Sequence, residues 1–116
     1  MPLIKTAVSV ECTPEQKVEC AKALSKICAE QIGKPEVYVS SIFEDGVTIA
    51  FGGEIQPSAF VVVKSIGGLN KEVNVGLSKA ICEYLSTTLN IPGEAVYLNF
   101  IDVPATQWGC NGQTFG

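Results

Sequence analysis

Histidine and arginine are both missing from the 116 residues; all eight basic side chains are lysines. Without His there is no Ser-His-Asp or Cys-His machinery and no ordinary zinc site, so no metal is expected. Without Arg there is no planar fork to clamp a carboxylate or phosphate in two places. Any anion must be held by Lys, by backbone N–H groups or by neutral donors. Charge is sparse, at 17% of residues, and the net charge of -4 is scattered. That argues against nucleic acid and against an anionic membrane surface as partners. The longest obvious apolar run, Ala59 to Val63, is far too short to cross a bilayer. The start, Met1-Pro2-Leu3-Ile4-Lys5, lacks the basic segment and apolar stretch of a secretory signal. The cysteines, Cys12, Cys20, Cys28, Cys82 and Cys110, are odd in number and form no C-x-x-C. Free thiols, mostly buried as small hydrophobes in a reducing, cytoplasmic setting, are the expectation.

What is present is a globular composition, 47% hydrophobic, in a chain that fits one domain over residues 1–116. Leu3 to Val10 alternates loosely and predicts a first strand. Thr13-Pro14-Glu15-Gln16 then reads as a helix start: Thr13 caps, Pro14 suits the first helical position, and Gln16 completes a capping box. Val18, Ala21, Leu24, Ile27, Cys28 and Ile32 follow at helical spacing as one apolar stripe. Gly33 is placed to end that helix left-handed, and Pro35 prevents its continuation. Val37 to Phe43 predicts a second strand, Asp45-Gly46 a turn, and Val47 to Phe51 a further extended stretch. Gly52-Gly53 and Pro57 mark a loop. Phe60 to Ile66 reads as an apolar run suited to a buried strand. Asn70 or a neighbour starts a second helix, with Val73, Leu77, Ala80, Ile81, Tyr84, Leu85 and Leu89 as its stripe. Pro92-Gly93 ends it, and Ala95 to Ile101 is the last long strand.

The two halves repeat weakly as strand, helix, Pro-containing turn, Val-Tyr and strand, with Val37-Tyr38 answered by Val96-Tyr97. The fold class expected is α+β: two βαβ repeats forming a four-stranded sheet with both helices on one face. The other face, expected to carry Ile4, Val39, Val62 and Leu98, would stay wet in a monomer, which is a reason to expect oligomerisation.

Several short pieces, none specific alone, occur together in order. They are Met1-Pro2, Gly33-Lys34-Pro35 with Tyr38, Phe51-Gly52-Gly53, Ser65-Ile66-Gly67-Gly68, Val96-Tyr97-Leu98-Asn99, and Asn111-Gly112 with Thr114-Phe115. On these the chain resembles the macrophage migration inhibitory factor family of the tautomerase superfamily, along essentially its full length. The resemblance implies a homotrimer with active sites between subunits and no cofactor. It implies that Pro2, freed by removal of Met1, is the catalytic base, with Lys34 and the backbone N–H of Ile66 beside it. Tyr38, Tyr97, Asn99, Trp108 and Phe115 would complete the pocket, some from the neighbouring subunit. The implied substrates are aromatic α-keto acids such as phenylpyruvate, and dopachrome-type compounds.

The chemistry agrees with the residue types. Enolisation needs a base beside the acidic carbon and a donor for the oxygen that becomes negative. An α-amino group titrates at about 8, closer to neutrality than a Lys side chain. Desolvation and the nearby Lys34 would lower it further. The proline ring also aims the lone pair. Three departures from mammalian relatives stand out. Ser58-Ala59-Phe60-Val61 occupies the place of their C-x-x-C, so thiol–disulfide activity is not expected. Their C-terminal Trp aligns with Cys110, two residues beyond Trp108. An Arg they use near the end of strand one aligns with Cys12, which weakens receptor signalling of their kind. The alternative function is that of a cytokine-like protein, secreted without a leader and acting on a cell-surface receptor.

Overall fold

The computed structural model describes residues 1–116. Strand β1 covers Pro2–Val8, and helix α1 covers Pro14–Ile32. The capping box at Thr13 and Gln16 is formed in both directions, and Gly33 closes the helix at φ 79°. Its buried face is Cys20, Leu24, Cys28, Ala29 and Ile32, whereas Val18 is exposed. The expected stripe was thus one position out in the second turn, where Cys20 takes the place given to Ala21.

Strand β2 is Ser40–Glu44, shorter and later than expected. Pro35 is the cause. Its fixed backbone (φ -60°, ψ 134°) starts a three-residue 3-10 turn, Glu36–Tyr38, which uses up the Val37-Tyr38 pair before the strand begins. Beyond β2 the chain does not continue extended. Gly46 and Val47 donate to the carbonyls of Val10 and Val8, folding this segment against the end of β1. A separate small hairpin follows, β3 (Ala50–Phe51) and β4 (Glu54–Ile55), turning at Gly52-Gly53. Strand β5 is Ala59–Ser65, helix α2 is Lys71–Leu89 and strand β6 is Val96–Asp102. Asn70 caps α2 by accepting from the Val73 N–H, and Asn90, not Pro92-Gly93, ends it in the left-handed region. A last hairpin pairs β7 (Gly109–Cys110) with β8 (Gln113–Thr114).

The main sheet has the order β2-β1-β5-β6. Strands β1 and β2 are parallel, as are β5 and β6, and β1 runs antiparallel to β5. Two βαβ units are therefore joined back to back, with both helices on one face, as the repeat predicted. Ile4, Val8, Val61 and Val63 of the sheet pack against Leu24, Cys28, Leu77, Ile81 and Leu85 of the helices. The side-chain assignment of the open face needs correction. Ile4 is fully buried under the helices, and Val39 and Leu98 pack against the same core. Of the four residues expected there, only Val62 is on the open face. The register gives three rows across that face: Ser40–Leu3–Lys64–Ile101, Ile42–Lys5–Val62–Asn99, and Glu44–Ala7–Phe60–Tyr97. Strand β5 is accordingly buried on one face only, since Phe60 is exposed and Val62 and Lys64 are partly so. No helix is long and apolar enough to cross a membrane, and the five cysteines are free thiols.

Candidate active site

Pro2 is the first residue of β1 and is fully buried on the helix-facing side of the strand. Antiparallel pairing sets it opposite Ser65, the last residue of β5, so Ile66 lies beside the chain terminus. The Ile66 N–H donates to the Met1 carbonyl at 3.4 Å. The Lys34 ammonium, brought in by the turn that ends α1, donates to the Ile66 carbonyl at 2.8 Å. Both backbone groups of Ile66 are thus engaged at one point, by Met1 and by Lys34.

The surrounding turn is braced from two sides. The Ser65 hydroxyl donates to the Gly67 carbonyl at 2.6 Å, and the Gly67 N–H donates to Asp102 Oδ1 at 3.0 Å. Gly68 has φ +83°, and a Cβ there would lie 2.8 Å from Ile32 Cγ2 and 3.2 Å from Lys34 Cε. A side chain at this position would push on the ammonium that reaches Ile66.

Electrostatics at the terminus favour a neutral amine. The Met1 amino group is held below its ordinary value, chiefly by desolvation and then by the Lys34 charge, with Cys28 acting weakly the other way. Cys28 itself lies in the core, and burial pushes its thiol up to about 11. It therefore stays protonated and adds no negative charge at neutral pH.

The remaining expected residues fall into two groups. Trp108 follows a 3-10 turn, Ala105–Gln107, and its carbonyl accepts from the Phe115 N–H at 3.1 Å. With Leu3, Lys64, Ile101 and Val103 it lines a cleft of about 540 Å³ next to the start of β1. Tyr38 is 52% exposed at the end of its 3-10 turn. Tyr97 and Asn99 are elsewhere. Both are exposed on the open face of β6. Tyr97 is in register with Phe60 and, through it, Ala7, five residues along β1 from Pro2, or about 16 Å at strand spacing. Its ring packs against Phe51 at 4.8 Å between centroids. One chain therefore assembles Pro2, Lys34 and Ile66, sets Trp108 nearby, and holds Tyr97 and Asn99 apart on the opposite face.

Sequence reading gave no site role to Leu3, Lys64, Ser65, Asp102 or Phe51, although Phe51 and Ser65 lie in pieces that carry the resemblance. Lys64 carried a readable signal: it is the single charge in the run from Ala59 to Ser65, and it marks which face of β5 meets solvent.

Comparison with known proteins agrees with this fold. The family model described as macrophage migration inhibitory factor matches residues 1–116. A macrophage migration inhibitory factor homolog of Trichuris trichiura is 36% identical over 115 residues, covering 99% of this chain and 100% of the relative. The crystal structure of the homologue from Prochlorococcus marinus superposes with a TM-score of 0.92 at 38% identity, covering 98% of this chain and 99% of that one. A fused 4-OT described as a symmetric trimer superposes with a TM-score of 0.83 at 28% identity, covering 97% and 94%. The expected fold class is the one observed, and the chain belongs to the macrophage migration inhibitory factor family of the tautomerase superfamily.

Proposed function

We propose that the protein is a keto–enol tautomerase acting on aromatic α-keto acids such as phenylpyruvate and on dopachrome-type substrates, with Pro2 as general base. The observation that carries this reading is the chain terminus itself: the Met1 amine is held below its ordinary pKa by desolvation and then by the Lys34 charge, and the Met1 carbonyl accepts from the Ile66 N–H. The Met1 carbonyl stands where a substrate oxygen would sit. Removing Met1 turns the Pro2 amide into a secondary amine and frees the Ile66 N–H in one cut. That N–H and the Lys34 ammonium are then the donors for the substrate's carboxylate and developing enolate. Proton transfer runs from the substrate carbon to the Pro2 nitrogen and back to the other tautomer, with no cofactor.

The separation of Tyr97 and Asn99 from Pro2 supports a homotrimer in which a neighbouring subunit supplies both. The symmetric trimer formed by the 4-OT relative is a precedent for that assembly. We place this activity in the cytoplasm.

The test is enol formation from phenylpyruvate by wild type and by Pro2→Gly, each with its N-terminus established by intact mass. Wild type that has lost Met1 should turn over. Pro2→Gly and Met1-retaining protein should lose at least about a hundredfold, the contribution of a positioned general base. Equal rates for all three would remove Pro2 from the mechanism.

A further inference from the structure

Lys64 is a charge with no counter-charge. The two ion pairs of the chain join Lys5 to Glu44 and Lys17 to Asp45. The neighbouring carboxylate, Asp102, is turned to the Gly67 N–H. Lysine on an exposed sheet edge is ordinarily a guard against edge-to-edge pairing. Strand β5 is not an edge, because β1 and β6 lie on either side of it. In its row Lys64 is flanked by Leu3 and Ile101, and Val103 and Trp108 close the cleft around it. An ammonium in a cleft shared with Leu3, Ile101, Val103 and Trp108 suits an organic anion with a flat, apolar body. The cleft, at about 540 Å³, has room for one.

Its position ties it to the site already described. Lys64 pairs across the strands with Leu3, the residue after Pro2, at a Cα separation of about 5 Å. Lys34 reaches the end of β1 from the helix side, and Lys64 approaches from the open side. We infer that this cleft is a subsite for the tail of the substrate and that Lys64 binds a second acidic group there. The preferred substrate class is then an aromatic keto acid with a further carboxylate on its ring. This inference rests on the tautomerase reading for its substrate, and its test does not depend on turnover.

Trp108 is the chain's single tryptophan, so its emission reports on the cleft directly. Protein lacking Met1 is titrated with 4-(carboxymethyl)benzoate and, separately, with the methyl ester of its ring carboxylate. Wild type should bind the diacid about tenfold more tightly than the ester, as expected for one charge-assisted contact. Lys64→Gln should bring the two Kd values together, and Lys64→Glu should reverse their order. Lys34→Ala should keep the ratio while weakening both. In turnover, Lys64→Gln should lose about tenfold more kcat/KM on ring-carboxylated phenylpyruvate than on phenylpyruvate itself. Circular dichroism and thermal midpoint check that each variant is folded. A ratio that persists in Lys64→Gln overturns the inference, as does a wild type without preference. So does a Trp108 signal that follows protein concentration and ignores both ligands, since a second copy of the chain would then fill the cleft. If Pro2 is not the base, turnover fails and the emission titration still stands. If Lys64 is not the ligand, the titration fails whatever the turnover.

Discussion

In the proposed mechanism the Pro2 nitrogen, an amide while Met1 precedes it, becomes the base only once Met1 is removed. One residue out, the Met1 amine is held below its ordinary value by burial first and then by the Lys34 charge, and the proposal expects the same two influences on a freed Pro2. Both disfavour the cation, so the neutral, reactive form gains at a given pH. The expected kcat/KM rises with pH and levels off at an apparent pKa below about 8, the ordinary value for an α-amine. Lys34→Ala should shift that pKa upward, because a positive neighbour is gone, apart from any loss in carboxylate binding. A pH–rate profile on each enzyme decides it; an unshifted midpoint in Lys34→Ala would show that the lysine does not tune the base. At this scale the sequence was legible where chemistry limited the options. With no His and no Arg, few side chains could serve as base or anion holder. It was not legible where a residue acts through backbone geometry. Nothing in the letters Ser65, Asp102 and Leu3 announces that one braces the turn, one caps it, and one walls a cleft.

Among the elements, the helix ends were the best-read parts of the chain. Caps are local, so Thr13, Gln16, Gly33 and Asn70 could be assigned from their immediate neighbours. Strand phase was read worst. Leu3 and Ile4 are both apolar, and periodicity alone does not say which of two adjacent apolar residues faces the helices. The charges settle it: Lys5 and Lys64 cannot lie under the helices, so Ile4 and Val63 must. Strand starts were displaced for a related reason. Pro35, Pro92 and Pro104 each open a single 3-10 turn that consumes three residues before the backbone extends. The turn at Gly68 links element to site. Gly68→Ala would impose a left-handed conformation on a residue with a Cβ, costing roughly 1–2 kcal/mol. It would also drive that Cβ against Ile32 and Lys34. The variant should show a lower urea midpoint with an unchanged m-value, and a larger loss of activity than of stability because Lys34 is displaced. Full activity at wild-type stability would show that the loop relaxes around the methyl group.

For the whole molecule, the sheet's open face is the feature to explain. It mixes Leu3, Val62, Phe60, Tyr97 and Ile101 with two lysines, and one chain leaves all of it uncovered by helices. The proposed mechanism, with Tyr97 held apart from Pro2, calls for a ring in which each site draws on two subunits. Refolding separates this from a site built within one chain. Pro2→Gly and Asn99→Trp are each verified inactive, then unfolded, mixed equally and refolded together. A working site needs an intact Pro2 on one subunit and an intact Asn99 on the next. Random assembly supplies that at about one site in four, so about a quarter of wild-type activity should return. No recovery, with mixed rings confirmed by native mass spectrometry, would refute the shared site. Sequence could suggest such a ring by resemblance, but its geometry comes from strand register, which is settled only when β1 and β5 pair.

That pairing also bears on how the protein comes to be active. The Met1–Pro2 bond leads directly into β1, and the carbonyl on its Met1 side is held by the Ile66 N–H. A peptidase needs the same few atoms extended and unpaired. On the proposed mechanism, trimming and folding therefore compete for one stretch of chain, and order matters: cut first, and the sheet closes around a free amine; fold first, and Met1 stays where the proposed substrate would bind. The specific activity of a preparation would then record the race between an aminopeptidase and a β-strand, molecule by molecule, long after both have finished.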